Sequence, residues 1–107
     1  MKEVIFGATG FSGKAILKEA LSQQHQVTVL VRNKSSILVQ DKNLKIVEGN
    51  VLDKHTVAEV LKNSDAVIQC LGVGGKGNGK LTTFISVATK IIVEEMEKQQ
   101  IKRLIAM

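Results

Sequence analysis

The sequence predicts an α/β fold, a doubly wound parallel sheet of five strands in the order 3-2-1-4-5. Two observations predict it. Apolar runs rich in β-branched residues alternate along the chain with segments of helical periodicity. Eight of the nine glycines fall in two clusters, and each cluster lies between a predicted strand and a predicted helix. Right-handed crossovers between parallel strands then favour this strand order.

The predicted elements follow one another without an internal linker or repeat. Short apolar runs predict strands at 2–6, 26–31, 44–47, 66–71 and 103–107. Helical spacing predicts one helix over 12–24, a second after an N-cap at Asp53, and a third from a cap at Thr82 or Thr83 to about Gln100. Residues 32–43 are mostly polar and predict a loop with a short helical turn. We expect a single domain over residues 1–107.

Composition excludes several classes of protein. The 107 residues are 44% apolar and 23% charged, which is typical of a soluble globular domain. One cysteine, Cys70, cannot form an intramolecular disulfide, and no apolar run is long enough for a membrane span. We therefore expect a cytoplasmic protein. The net charge of +5 is spread evenly and the aromatic residues are three phenylalanines, so we expect no nucleic-acid partner.

The first glycine cluster, Gly7-Ala8-Thr9-Gly10-Phe11-Ser12-Gly13, follows a strand and opens a helix, where a dinucleotide pyrophosphate binds. Glycine permits a tight turn and a close approach of the backbone to phosphate oxygens, and Thr9 and Ser12 offer hydroxyl donors. A Walker A motif is excluded, because Ala15 lacks the hydroxyl that would bind magnesium. The candidate cofactor-binding residues here are Gly7, Thr9, Gly10, Phe11, Ser12 and Gly13.

The end of the second strand indicates which dinucleotide would bind. NAD sites usually have an acidic residue here, which accepts a hydrogen bond from the ribose 2′-hydroxyl. The residues from Arg32 to Ser36 include no acid, and the Arg32 guanidinium can bind a 2′-phosphate with Asn33, Lys34 or Ser35 beside it. The alternative is that Arg32 and Lys34 are ordinary surface cations. We predict NADP(H) in preference to NAD(H).

Four segments together resemble the atypical short-chain dehydrogenase/reductases, over essentially the whole chain. They are the glycine motif at 7–13, Val-Leu-Val-Arg at 29–32, Glu-Gly-Asn-Val-Leu-Asp at 48–53 and Ala-Val-Ile-Gln-Cys-Leu-Gly at 66–72. Within that family the sequence is most similar to the flavin/biliverdin-reductase-like proteins and their NADP-sensing relatives. The resemblance implies a Rossmann-like fold and a nicotinamide dinucleotide cofactor.

The resemblance also implies further cofactor contacts. Asn50 and Val51 would lie against the adenine, and Leu71 and Gly72 would pass beside the ribose and phosphates. Relatives commonly have Asp at the position of Asn50, although an amide can also pair with the adenine edge.

One departure from the family concerns catalysis. The classical members use a Ser beyond the fifth strand and a Tyr-x-x-x-Lys pair, whereas this sequence has no tyrosine and ends at Met107 within the predicted fifth strand. We therefore expect a sheet cut after its fifth strand, a missing substrate-binding half, and a chain that is inactive by itself. The catalytic residues stay unknown. Flavin-reductase-like relatives depend mainly on positioning of the cofactor, so the absence of tyrosine does not exclude them.

The second glycine cluster joins the fourth strand to the long helix. Residues 74–80 match G-x-x-x-x-G-K, but Leu81 stands where a P-loop has a hydroxyl. A P-loop using Lys80, a segment that covers the nicotinamide, and a connector without contacts are the alternatives. Cys70 is interpreted as a core thiol and His25 and His55 as surface residues, so no metal site is predicted.

The predicted function is an NADP(H)-binding module of an oxidoreductase that transfers hydride from NADPH to a small acceptor such as a flavin or quinone. The alternative is a regulatory protein that senses NADP(H) without turnover. A P-loop nucleotide binder is the third hypothesis. The acceptor and the oligomeric state cannot be deduced from the residues.

Overall fold

The computed structural model describes residues 2–8, 11–71 and 79–106, without the side chains at 11–12, 79–82 and 106. The strands are β1 (Lys2–Phe6), β2 (Gln26–Val31), β3 (Leu44–Glu48), β4 (Ala66–Gln69) and β5 (Leu104–Ala106). The helices are α1 (Phe11–Ser22), α2 (Lys54–Leu61) and α3 (Gly79–Lys98), with a 3-10 helix at Lys34–Ser36.

All five strands are parallel and lie in one sheet, in the order β3-β2-β1-β4-β5. This confirms the predicted fold class and strand order. The central strand β1 pairs with β2 on one side and β4 on the other, so Ile5 lies between Val29 and Ile68. Parallel strands end at the same edge of a sheet, so every loop that leaves a strand lies at that edge.

The two faces of the sheet have separate apolar cores because side chains alternate along each strand. Val4 and Phe6 of β1 point to the face that α2 and α3 cover. Ile5 points to the opposite face, against Leu17 and Leu21 of α1. Each of the strands β1, β2 and β4 is buried on both faces, which explains why their sequences are mostly apolar instead of strictly alternating.

Several predicted boundaries differ from those of the structure, and two of them flank the second glycine cluster. The long helix begins at Gly79 and not at a cap formed by Thr82 or Thr83. Apolar spacing identifies the buried face of a helix, but it does not identify the first turn. The fourth strand ends at Gln69 and not at Leu71, although the Cys70 N–H still donates to the Phe6 carbonyl oxygen at 2.8 Å.

A residue in the left-handed conformation lies two positions after the last residue of each of the helices α1, α2 and α3. These residues are Gln24, Asn63 and Gln100, with φ of 65°, 63° and 60°. The conformation turns the next N–H groups back toward the last carbonyls, as in the bond from the Ile101 N–H to the Met96 oxygen at 2.9 Å. Glycine is the usual residue at such positions. None of these three residues is a glycine, so a search of the sequence for glycine would not have located these helix ends.

The helix α2 begins as the sequence predicts. The Asp53 carboxylate accepts a hydrogen bond from the His55 N–H at 3.0 Å. This bond holds the pKa of Asp53 below its ordinary value of 3.8. The negative charge also interacts favourably with the partial positive charge at the start of the helix.

None of the helices in the described part of the chain combines the length and apolar character that crossing a membrane requires.

We predict that Leu61→Ala lowers the free energy of unfolding by about 2–5 kcal/mol, because it leaves a cavity between α2 and the sheet. Leu61 is fully buried, whereas Leu38 is 89% exposed. Leu38→Ala is therefore the matched control and should change stability by less than about 0.5 kcal/mol. Urea denaturation measures both, and equal losses would contradict this account of the core.

The Asp53 cap predicts a pH dependence of stability. Its pKa is lower in the folded state than in the unfolded chain, so its charge stabilises the fold above the unfolded value of 3.8. That contribution is lost as the pH falls through the folded pKa. Asp53→Asn keeps a capping oxygen but removes the charge.

We therefore expect the wild type to be more stable than Asp53→Asn at neutral pH, and this difference to disappear under acidic conditions. Urea midpoints for both proteins from pH 7 to pH 2 provide the measurement. A difference that is independent of pH would show that the charge does not contribute.

Candidate cofactor site

The loops after β1, β2, β3 and β4 lie together at the carboxyl edge of the sheet. Gly7 follows β1, Arg32 follows β2, Gly49 follows β3 and Leu71 follows Gln69 and Cys70 at the end of β4. The strand order changes direction between β1 and β4, because β2 and β3 lie to one side of β1 and β4 and β5 to the other. Ligands of open α/β sheets bind in the crevice at such a switch point.

Gly7 allows the chain to turn sharply out of β1 against the end of β4. Its φ is +86°, a conformation that residues with side chains rarely adopt. A Cβ atom at this position would lie 2.8 Å from the carbonyl carbon of Cys70 and 2.9 Å from the backbone nitrogen of Leu71. Both neighbours are backbone atoms held by the sheet, so only glycine fits.

Gly13 brings the first turn of α1 into direct contact with the same loop. A Cβ atom on Gly13 would lie 2.0 Å from the carbonyl oxygen of Gly7 and 2.8 Å from the Cα atom of Ala8. The absent Cβ atoms of Gly7 and Gly13 therefore let β1, β4 and α1 meet around one turn. The first N–H groups of a helix in this position can bind a pyrophosphate, so the geometry fits a dinucleotide.

The loop after β2 is ordered by two polar side chains. Asn33 accepts hydrogen bonds at its Oδ1 atom from the Ser35 N–H at 3.0 Å and from the Ser35 hydroxyl at 2.8 Å. Glu48, at the end of β3, accepts at Oε2 from the Lys34 N–H at 2.9 Å. The exposed Arg32 side chain places its guanidinium 5.7 Å from the centre of the Phe84 ring, on α3.

The loop after β3 contains the residues that the resemblance assigns to the adenine. Asn50 is exposed, and its Oδ1 atom accepts from the Leu52 N–H at 2.9 Å, which leaves its NH2 group as the donor available to a base. Val51 is buried and packs in the core beneath α2 and α3. Gly49 is tied to the end of β2, because its N–H donates to the Val31 oxygen at 2.8 Å.

Of the predicted cofactor-binding residues, six lie at this edge within the described part of the chain: Gly7, Gly13, Arg32, Asn50, Val51 and Leu71. Thr9, Gly10 and Gly72 lie outside the described residues, as do the side chains of Phe11 and Ser12 and most of the second glycine cluster. Their roles stay predictions.

Cys70 is part of the scaffold of this site. Its side chain is buried in the core on the α1 face, as predicted. Burial raises the pKa of the Cys70 thiol above its ordinary value of 9.0, so the thiol stays protonated and unreactive at neutral pH. Among the described residues, no group of three His, Cys, Asp or Glu side chains is placed to bind a metal ion.

Sequence reasoning assigned no role to Glu48 or Phe84. Both contact the loop after β2 from other elements, β3 and α3 respectively. The strand order was a usable signal for Glu48, because it places the end of β3 beside the end of β2. Phe84 carried no such signal, since its spacing on α3 is that of an ordinary core residue.

We predict that Gly13→Ala lowers the free energy of unfolding by about 3 kcal/mol or more and weakens dinucleotide binding, because the methyl group pushes α1 away from Gly7. Gly49→Ala is the control. Its Cβ atom would meet the Thr56 Cγ2 atom at 2.8 Å, which belongs to a side chain and not to backbone held by the sheet. Urea denaturation should show the smaller loss for Gly49→Ala, and equal losses would contradict the proposed contact.

Comparison with known proteins also indicates a fold that binds a nicotinamide dinucleotide. YwnB of Bacillus subtilis, a protein of uncharacterised function, is 43% identical over 72 residues, which cover 67% of this chain and 32% of YwnB. A protein of Bacteroides thetaiotaomicron proposed to be an epimerase superposes with a TM-score of 0.80 at 31% identity, over 98% of this chain and 45% of its own.

The oxidoreductase ylbE of Lactococcus lactis also superposes with a TM-score of 0.80, at 28% identity, over 99% of this chain and 47% of its own. The chain thus spans less than half the length of each of these three proteins. The model of the NAD(P)H-binding family matches residues 7–107, from the first glycine of the motif through β5. The parallel sheet and the glycine turn are consistent with this match. The chain therefore belongs to the NAD(P)H-binding family.

Proposed function

We propose that this chain is the NADP(H)-binding part of an oxidoreductase that transfers hydride from NADPH to a small acceptor such as a flavin or quinone. The observation that carries the cofactor preference is the position of Arg32. It directly follows β2, its side chain is exposed, and the residues from 32 to 36 include no acid. A guanidinium in this position can bind a 2′-phosphate through two parallel hydrogen bonds. The similarity to the oxidoreductase ylbE supports the reaction class.

Each part of the site would then hold one part of the cofactor. The turn at Gly7 and the start of α1 would bind the pyrophosphate, and the Asn50 amide would donate to the adenine. Leu71, half-buried beside Gly7 at the end of β4, would border the ribose and phosphates. When bound, NADPH supplies the hydride, and the chain contributes orientation and electrostatics.

The sensor hypothesis stays open because the 107 residues include no tyrosine for the usual catalytic pair. The two functions differ in turnover. NADPH oxidation is followed by absorbance with FMN or a quinone as acceptor, with this chain alone and with the longer protein if one exists. We expect turnover only when a substrate-binding half is present. Background rates in both cases would favour the sensor.

Three further interpretations remain predictions. We propose that residues 1–107 form one folding unit, that the protein is cytoplasmic, and that it binds no nucleic acid. A P-loop function for Lys80 is tested by adding ATP with magnesium to the binding experiments. Binding of ATP without binding of NADPH would contradict both dinucleotide hypotheses.

Arg32→Ala tests the cofactor preference. We expect NADPH to bind about tenfold more weakly or worse, since hydrogen bonds to a charged group contribute about 1.5–3 kcal/mol. Binding of NADH, which lacks the 2′-phosphate, should change by less than about threefold. Fluorescence titration with each dinucleotide measures both affinities.

Two variants serve as controls for Arg32→Ala. Lys42→Ala removes one positive charge from the loop that leads into β3, at the opposite edge of the sheet, and should leave both affinities unchanged. Arg32→Lys keeps the charge but loses the planar fork, so NADPH affinity should be intermediate. An equal loss of NADPH and NADH binding in Arg32→Ala would contradict a 2′-phosphate role.

A further inference from the structure

The loop that carries Arg32 also holds a carboxylate, which comes from another strand. Glu48 ends β3 and pairs in register with Val31, the residue immediately before Arg32. Its Oε2 atom accepts a hydrogen bond from the Lys34 N–H at 2.9 Å, and its side chain is exposed. The end of β2 therefore faces a negative charge, although residues 32–36 contain no acid.

Within the described part of the chain, no cation lies within 4 Å of the Glu48 carboxylate to form an ion pair with it. The Arg32 guanidinium lies over the Phe84 ring instead, and the one ion pair within 4 Å in the described part of the chain joins Lys98 to Glu95 on α3. Glu48 accepts from a backbone N–H, which carries no net charge. No cationic partner in the described part of the chain therefore offsets the charge of this carboxylate.

We propose that Glu48 is a specificity-determining residue that disfavours a 2′-phosphate on the bound dinucleotide. The proposal rests on the proposed function, which places the adenosine ribose at the end of β2. A 2′-phosphate there competes with the Glu48 carboxylate for the Lys34 N–H and is repelled by its charge. The 2′-hydroxyl of NAD(H) carries no charge and is not repelled. Arg32 and Glu48 thus act in opposite directions, and their balance sets the preference.

Glu48→Gln separates the charge from the hydrogen bond. The glutamine amide oxygen can still accept from the Lys34 N–H, so the loop keeps its conformation while the charge is lost. We expect NADPH to bind about tenfold more tightly, as removal of one like charge at close range predicts, and NADH affinity to change by less than about threefold. The gain should shrink in high salt because the repulsion is screened.

The control is Asp41→Asn, which removes one negative charge before β3, at the opposite edge of the sheet. The Asp41 carboxylate also accepts from a backbone N–H, that of Asn43 at 2.8 Å. It is thus matched in charge and in bonding, and we expect both affinities to stay unchanged. Glu48→Ala loses the charge and the hydrogen bond together. It should keep the tighter NADPH binding and have a lower urea midpoint than Glu48→Gln.

The outcomes distinguish this proposal from the proposed function. Unchanged or weaker NADPH binding in Glu48→Gln would overturn the repulsion, even if Arg32→Ala behaves as predicted. A loss of NADH affinity with NADPH unchanged would also overturn it, because Glu48 would then bind the ribose hydroxyl. A wild-type protein that binds neither dinucleotide would overturn the proposed function itself and this inference with it.

Discussion

The contact between two glycines is the constraint on which the rest of the structure depends. A Cβ atom on Gly13 would lie 2.0 Å from the Gly7 carbonyl oxygen, and a Cβ atom on Gly7 would lie 2.8 Å from the backbone after β4. Three elements are thereby held around one turn. Moving any of them would separate the start of α1 from the switch point of the sheet, where a dinucleotide binds in this fold.

The apolar cores hold these elements in place from both sides of the sheet. The central strands bury side chains on both faces, so α1 is fixed against one face and α2 and α3 against the other. Parallel pairing brings the carboxyl ends of β1 to β4 to one edge. The site is thus assembled from four loops that are far apart in sequence, and each loop begins where a buried strand ends.

Charge at the end of β2 links this scaffold to the proposed cofactor preference. Arg32 lies over Phe84 from α3, and Glu48 from β3 is bonded to the backbone of Lys34. Opposite charges from two strands therefore border the proposed site of the ribose. Membership of the NAD(P)H-binding family fits either cofactor, so the proposed preference rests on these side chains and not on the fold. The chain spans less than half the length of YwnB, the epimerase-like protein and ylbE.

The sequence by itself determined the fold class, the strand order and the glycine turn, because alternating strands and helices with right-handed crossovers leave few arrangements. It located the Asp53 cap and the buried Cys70, since both depend on local pattern. It misplaced the start of α3 at Gly79, because apolar spacing does not identify a first turn. Only the tertiary structure placed Glu48 and Phe84 beside the loop after β2, because the pairing of strand ends and the packing of a distant helix are long-range contacts.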